Sequence, residues 1–169
     1  MKKFFKTALI VALCMITAFP FNSFAVDGEK VQWYDIDLTE NEIQRILDLN
    51  PQNNASSRAT GLIIAYNVGI DKSSTGTKLN LVAKITCDLD VVKCGFKKIL
   101  IQRRTNANVA WSTCFTFEDL YDDDSDYTIA RQIAVTTGYQ YRAVCTFYAK
   151  KNILSTQKIE LTSNVVTYS

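Results

Sequence analysis

Apolar residues alternate with polar ones along most of this chain, from about residue 59 to the C-terminus. One run places an apolar side chain at every second position from Leu62 to Ile70, and the next does so from Leu79 to Cys87. Similar runs follow over residues 96–104, 109–117, 127–135, 141–147 and 159–165. A period of two, rich in β-branched and aromatic residues, is typical of strands with one buried face. The pattern predicts an all-β domain over residues 59–169, an antiparallel two-sheet sandwich of about seven strands.

The segment before this domain, residues 26–58, has a helical pattern instead. Thr39 and Glu42 have the spacing of a capping box, and Ile43, Ile46 and Leu47 follow on one helical face. The polar residues 52–57 are typical of a linker. We therefore predict an N-terminal segment that carries a short helix and is joined by this linker to the sandwich.

The first 25 residues have the pattern of a secretory signal peptide. A basic start with Lys2, Lys3 and Lys6 precedes an apolar run over residues 8–19, and Ser23 and Ala25 supply the small residues of a cleavage site. The run is shorter than the roughly 20 residues that span a bilayer. We expect residues 1–25 to be a signal peptide and the product to be extracellular; an uncleaved N-terminal anchor is the alternative.

Removal of this signal changes the charge of the chain. Of its 19 Lys and Arg residues, 16 remain against all 17 Asp and Glu residues. The resulting net charge near −1 does not indicate nucleic acid as a partner. No second apolar run is long enough to cross a bilayer, so we expect no membrane span after cleavage.

Four cysteines follow the signal: Cys87, Cys94, Cys114 and Cys145. An even number in an exported chain predicts two disulfide bonds. A zinc site is disfavoured, because six residues separate the closest pair and the chain has no histidine.

Two runs resemble strands of immunoglobulin-like domains. Residues 81–87 resemble a B strand that ends in an inward cysteine, and residues 138–145 resemble an F strand after a tight corner. The corner tyrosine of that class lies two residues before the second cysteine, whereas Tyr141 lies four before Cys145. The strand phases favour Cys87–Cys145 with Cys94–Cys114; the alternative is Cys87–Cys94 with Cys114–Cys145.

Several segments also resemble, in order, a family of small secreted proteins of Gram-positive bacteria that carries only a domain-of-unknown-function label. The segments are KCGFKKILIQRR at residues 93–104, DLYD at 119–122, GYQYR at 138–142 and YAKKNILSTQKI at 148–159. The resemblance covers roughly residues 61–168 and implies a secreted bacterial protein. It supplies no catalytic or binding residues.

An acidic turn is the first candidate site. Asp122, Asp124 and Asp126 have the alternating spacing by which carboxylates converge on calcium. An EF-hand loop would need Gly and Glu where Tyr127 and Ile133 stand, so that motif fails. A looser calcium site and a solvated acidic turn remain the two interpretations, and we expect no other cofactor.

A set of cations is the second candidate site. The resemblance to immunoglobulin-like domains implies that the third and sixth strands are sheet neighbours. If Ile99 and Ala143 point inward, four cations then share the outer face of these strands: Lys98, Arg104, Arg142 and Lys150. Leu100, Gln102 and Tyr148 lie among them. Such a face is suited to an anionic surface polymer, and an ordinary charged surface is the alternative.

An enzyme is the less favoured class. Without histidine, Ser-His and Cys-His nucleophiles are excluded, although paired carboxylates of a hydrolase are not. Trp33 is open to sugar stacking, whereas Trp111 is in phase with Val109 and Phe115 and is expected in the core. We interpret the protein as a secreted, non-enzymatic binding or interaction module whose partner is a cell-surface polymer, glycan or protein. The alternative is a secreted antagonistic toxin that acts on neighbouring cells.

Cleavage after Ala25 gives the first testable prediction. The small residues Ser23 and Ala25 follow the apolar run at the distance that signal peptidases require. The intact mass of protein collected from culture medium should therefore correspond to a chain that begins at Val26. A secreted form that still begins at Met1 would contradict this prediction.

Overall fold

The structure, a computed structural model, describes residues 33–50 and 61–169. The predicted signal peptide and the linker over residues 52–57 lie outside these ranges. Alternating apolar positions form the strands, and the capped segment forms the helix, as predicted. The elements in chain order are β1 (Trp33–Asp35), α1 (Glu40–Asp48), β2 (Ile63–Lys72), β3 (Lys78–Cys87), β4 (Lys93–Arg104), β5 (Ser112–Asp122), β6 (Asp126–Ala134), β7 (Tyr139–Lys150), β8 (Thr156–Thr162) and β9 (Val166–Tyr168).

The strands form two antiparallel sheets, which confirms the predicted all-β sandwich. The four-stranded sheet has the order β1-β6-β3-β2, and the five-stranded sheet has the order β5-β4-β7-β8, with β9 also paired to β7. This arrangement matches that of immunoglobulin-like sandwiches. In the first sheet, the positions of strands A, B and E are occupied by β2, β3 and β6. In the second sheet, the positions of strands C′, C, F and G are occupied by β5, β4, β7 and β8. The short β1 and β9 are additions to the predicted set of strands.

The core lies between the two sheets and is centred on aromatic contacts. Phe96 of β4 and Phe147 of β7 are neighbours in register and fully buried, with ring centroids 5.6 Å apart. Phe147 also meets Tyr66 of the opposite sheet at 5.2 Å. These contacts, with the buried aliphatic residues of β2 and β3, join the sheets by apolar burial.

The N-terminal segment packs on the sandwich, and all described residues belong to one compact unit. The predicted capping box is present, because the Thr39 side chain accepts from the Glu42 backbone and the Glu42 carboxylate accepts from Thr39. Ile46 and Leu47 are buried against Val82 of β3. The helix that the capping pattern predicts is therefore held by tertiary packing, which a helix of this length needs.

Strand β1 covers a buried arginine at the edge of the sandwich. Arg131 interrupts the apolar phase of β6, yet it is only 8% exposed. Its Nε donates to the Asp35 carboxylate at 2.9 Å, and its guanidinium lies 4.3 Å from the Trp33 ring and 4.5 Å from the Phe117 ring. The ion pair with Asp35 and the cation–π contacts with the two rings compensate for the free-energy cost of burying this charge.

The cysteine pairing favoured by strand phase is not compatible with the register. Sγ of Cys87 lies 2.6 Å from Sγ of Cys94, and both thiols are free. Cys114 contacts the carbonyl of Ile101, seven residues along β4 from Cys94 and thus about 23 Å away. Cys145 lies opposite Ile99 on β7. The register therefore does not bring together the cysteines of the pairing Cys87–Cys145 with Cys94–Cys114, because strand phase indicates which face a cysteine is on but not its height along the strand.

The close approach of α1 to β2 gives a prediction at Gly69. A Cβ atom at Gly69 would lie 2.3 Å from the backbone carbonyl oxygen of Ile46, so the helix cannot stay in place over an alanine. We expect Gly69→Ala to lower the free energy of unfolding by about 2 kcal/mol, as overpacking does. Urea denaturation measures this loss, and trypsin should cut faster after Arg45. An unchanged midpoint with unchanged cleavage would show that the helix does not depend on this contact.

Tyr141 gives a third prediction, because it acts as a corner tyrosine despite its displaced position. Its buried hydroxyl donates to the Thr136 carbonyl at 2.9 Å and accepts from the Thr136 N–H at 3.0 Å. Tyr141→Phe leaves both backbone groups without this partner and should cost about 1–3 kcal/mol of stability in thermal or urea unfolding. The half-buried neighbour Tyr139 is the matched control, and Tyr139→Phe should cost less than about 0.5 kcal/mol. Equal losses would contradict a corner role.

Candidate anion-binding face

The outer face of the five-stranded sheet collects the cations that the sequence singled out. Ile99 and Ile101 of β4 are buried, so Lys98, Gln102 and Arg104 lie on the opposite side. Strands β4 and β7 are neighbours, with Gln102 opposite Arg142 and Lys93 opposite Lys150. The structure thus places the four predicted cations on one face, together with Leu100, Gln102 and Tyr148.

One row of residues across this face forms a groove. Gly95 of β4 pairs with Tyr121 of β5 on one side and with Tyr148 of β7 on the other. The flanking strands are about 10 Å apart, yet the two ring centroids are only 5.3 Å apart. The rings therefore lean towards each other over the glycine. Lys158 of β8 continues the row next to Tyr148.

Gly95 is required here by its backbone and by its surroundings. Its φ is 154°, and a Cβ atom would lie 2.2 Å from the carbonyl oxygen of Leu120. Asp119, just before that contact on β5, has a φ of 54°, which is uncommon for a residue with a side chain. The glycine lets β5 approach β4 and leaves a floor without a side chain between the tyrosines.

Lysine side chains surround the two rings. Nζ of Lys93 lies 3.9 Å from the centroid of Tyr121, and Nζ of Lys158 lies 6.0 Å from that of Tyr148. The groove has a volume of about 530 Å³. Its lining is Lys93, Lys97, Asp119, Tyr121, Tyr148 and Lys158. Ammonium groups over aromatic faces form cation–π contacts while keeping donors free for an anion.

Asp119 organises one wall of this groove. Its carboxylate accepts from Nζ of Lys97 and from the Tyr121 hydroxyl, the latter at 2.9 Å. These two hydrogen bonds lower the pKa of Asp119, and the bond to Asp119 raises the pKa of Lys97. Burial, followed by the bond to Asp119, raises the pKa of Tyr121. The wall therefore keeps its charges and its hydroxyl proton across the neutral range.

A second cluster lies further along the same face. The guanidinium carbons of Arg104 and Arg142 lie 4.3 and 4.4 Å from the Trp111 ring. Arg104 Nε donates to Gln140 at 2.8 Å, and Arg142 Nε donates to Gln102 at 2.9 Å. Burial lowers the pKa of Arg142, and the charge of Arg104 adds to this shift. The two arginines are thus held in fixed orientations on the sheet.

Trp111 is not in the core, contrary to the sequence prediction. The register between β4 and β5 shifts between Ile101 and Gln102. This irregularity ends the period of two that put Trp111 in phase with Phe115, and Val109 is 44% exposed. Trp33 also has a packing role, with its ring 5.5 Å from Phe117.

Cations outnumber carboxylates on this face. The cations of strands β4, β7 and β8 on the outer face are Lys93, Lys97, Lys98, Arg104, Arg142, Lys150 and Lys158, and the carboxylates on that face are Glu118, Asp119 and Glu160. Glu118 pairs with Lys98 at 2.8 Å. The remaining excess of positive charge on this face contrasts with the near neutrality of residues 26–169 as a whole.

The acidic turn does not bring its carboxylates together. Asp122 accepts from the backbone N–H groups of Asp123 and Asp124, and Asp126 accepts from the Thr86 hydroxyl at 2.6 Å. Asp124 accepts from the backbone N–H of Ser125. Within residues 33–50 and 61–169, no group of three or more acidic, His or Cys side chains is arranged to hold a metal ion. The carboxylates form local turn contacts instead.

Another cleft lies beside α1 and has a volume of about 440 Å³. Arg45 and Asp71 form an ion pair across it at 2.8 Å. Gln132 donates to Ser73 and to Asn80, each at 2.9 Å. The polar groups of this cleft therefore bind each other, whereas the groove at Gly95 has lysine ammonium groups that face solvent.

Sequence reasoning found the cations of the face but missed the groove. Gly95 within an otherwise apolar strand was the available signal, because a strand glycine marks a bulge or a close approach. The register that places Tyr121 and Tyr148 beside it was not readable from the sequence.

Comparison with known proteins adds no relative: no family model, no curated protein and no solved structure matches this chain. In the part of the chain that the structure describes, no helix is long and apolar enough to cross a membrane.

Proposed function

We propose that this protein is an exported, non-enzymatic binding module that holds an anionic glycan on the outer face of its five-stranded sheet. The groove at Gly95 is the observation that carries this proposal. Its two tyrosine rings offer apolar faces to sugar rings, and its lysines offer donors to carboxylate groups. A site with both features favours a charged sugar over a neutral sugar or a simple inorganic anion.

The length of the face supports a polymer as the ligand. Tyr148 in the groove and Arg142 beside Trp111 are six residues apart on β7, or about 20 Å. Both clusters lie on the same side of the same strand. A chain of several sugar units is long enough to contact both, whereas a monosaccharide contacts one.

Export is the second part of the proposal. It rests on the signal pattern of residues 1–25 and on the resemblance to small secreted proteins of Gram-positive bacteria. An extracellular binding module that meets surface polymers suits both features. The same setting would allow disulfide bonds between cysteines that lie close together.

Binding of polygalacturonate and hyaluronate, measured by affinity electrophoresis, tests the glycan proposal. Both carboxylated polymers should retard the protein, and neutral dextran should not. Tyr148→Ala should raise the apparent Kd about tenfold, as expected for the loss of about 1.4 kcal/mol of ring contact. Raising NaCl from about 0.05 to 0.5 M should weaken binding, because the Debye length falls below the size of the groove.

Matched charge variants separate the groove from general attraction. Lys158→Gln removes a groove cation, whereas Lys84→Gln removes a cation of the other sheet, which pairs with Glu40. The first variant should weaken retardation by both polymers and the second should not. Equal effects of the two variants, or no retardation of the unmodified protein, would overturn the proposal. Unchanged melting temperatures verify that the variants are folded.

A further inference from the structure

We propose that Cys87 and Cys94 form a disulfide bond, and that Cys114 and Cys145 stay reduced. The bond would link the end of β3 to the start of β4 and so join the two sheets covalently. The proposal rests on the proposed export only in one respect, namely that the cell supplies an oxidising environment. Of the alternative pairing given in the sequence analysis, the proposal keeps the Cys87–Cys94 bond and omits the Cys114–Cys145 bond.

The geometry of the two sulfurs carries this inference. They lie 2.6 Å apart, only slightly further than the about 2.05 Å of a disulfide bond. Cys87 is 2% exposed and Cys94 is fully buried. The turn between β5 and β6 also fixes the end of β3, because the Cys87 N–H donates to the Ser125 carbonyl at 2.7 Å. No rearrangement of the strands is needed to bring the sulfurs together.

The other two cysteines cannot bridge to each other. Cys114 is on β5 and Cys145 is on β7, and β4 lies between these strands. Two strand spacings amount to about 9.5 Å, which exceeds the 4.4–6.8 Å between the Cα atoms of a disulfide. Cys145 is fully buried in the core opposite Ile99.

Oxidation requires an external acceptor of two electrons, and a small-molecule disulfide such as oxidised glutathione is sufficient. One cysteine thiolate attacks a sulfur of the oxidant and releases one glutathione thiolate, which takes up a proton. The second cysteine thiolate attacks the mixed disulfide, closes the Cys87–Cys94 bond and releases the other glutathione. Two protein thiols are oxidised, and one disulfide is reduced to two thiols.

The buried thiols influence when this reaction occurs. The hydrogen bond with Cys87, and then burial, raise the pKa of Cys94, and burial raises the pKa of Cys145. Because thiolates are the attacking species, the folded chain should react slowly with an external oxidant. We expect the bond to form while the chain folds, before the two cysteines are buried.

Peptide mapping of the chain that begins at Val26, and so lacks Cys14, tests the connectivity of the other four cysteines. The chain is refolded with oxidised and reduced glutathione, alkylated without reduction and digested with trypsin. Cleavage after Lys84, Lys93 and Lys97 places Cys87 on peptide 85–93 and Cys94 on peptide 94–97. These two peptides should be found linked. Cys114 on peptide 105–131 and Cys145 on peptide 143–150 should carry the alkylating group.

Other linkages would overturn the proposal. Peptide 85–93 joined to 143–150 would restore the pairing favoured by strand phase, and peptide 105–131 joined to 143–150 would show a second bridge. Full alkylation of all four cysteines after refolding would show that no bond forms. None of these outcomes depends on glycan binding, and failure to bind a glycan would leave the map unchanged.

The melting temperature provides an independent measurement. Closing the short β3–β4 loop should make the oxidised chain melt about 8 °C above the reduced chain. Cys114→Ser is the matched control and should keep this difference, whereas Cys94→Ser should abolish it. A difference that survives in Cys94→Ser would assign the effect to another pair and refute the inference.

Discussion

The rest of the structure depends on the contact of Phe96 and Phe147, neighbours in the five-stranded sheet whose rings lie in the core between the two sheets. Both side chains are fully buried, and each belongs to a strand whose side chains alternate between two faces. Once this pair points into the core, its neighbours Gly95 and Tyr148 must point outward. The candidate groove is thus a direct consequence of core packing. Any change that turned β4 over would lose the core and the groove together.

Gly95 links the geometry of the strand to the chemistry of the groove. The 2.2 Å approach between a Cβ atom at this position and the Leu120 carbonyl oxygen means that any side chain would push β5 away. The same missing side chain lets the rings of Tyr121 and Tyr148 close to 5.3 Å. Aromatic cover of a strand glycine also stabilises the sheet. The structural role and the proposed binding role therefore coincide in this pair of tyrosines, which is why the lysine variants, rather than the tyrosine variant, distinguish the two roles.

The sequence was sufficient for the strands and the capped helix, because both follow from local period and spacing. The neighbouring placement of β4 and β7 followed from the resemblance to immunoglobulin-like sandwiches. The sequence was insufficient wherever register decides. The shift beside Gln102 moved Trp111 from its expected core position to the outer face. Height along the strand separated Cys94 from Cys114, although both are on strands of the same sheet. Local periodicity carries no information on bulges or on the height of one strand relative to another, and both depend on contacts between distant parts of the chain.

The distribution of charge over the surface determines how an anionic polymer would approach and bind this protein. Residues 26–169 include 16 basic and 17 acidic residues, so their long-range field is weak and steers an anion little. The acidic turn around Asp124 also lies at the end of the sheet near the groove. Attraction must therefore arise within about 8 Å, the Debye length in physiological salt, where Lys93 and Lys158 lie close to the tyrosine rings. A ligand held in the proposed way would be selected by contact with the groove rather than by the net charge of the protein.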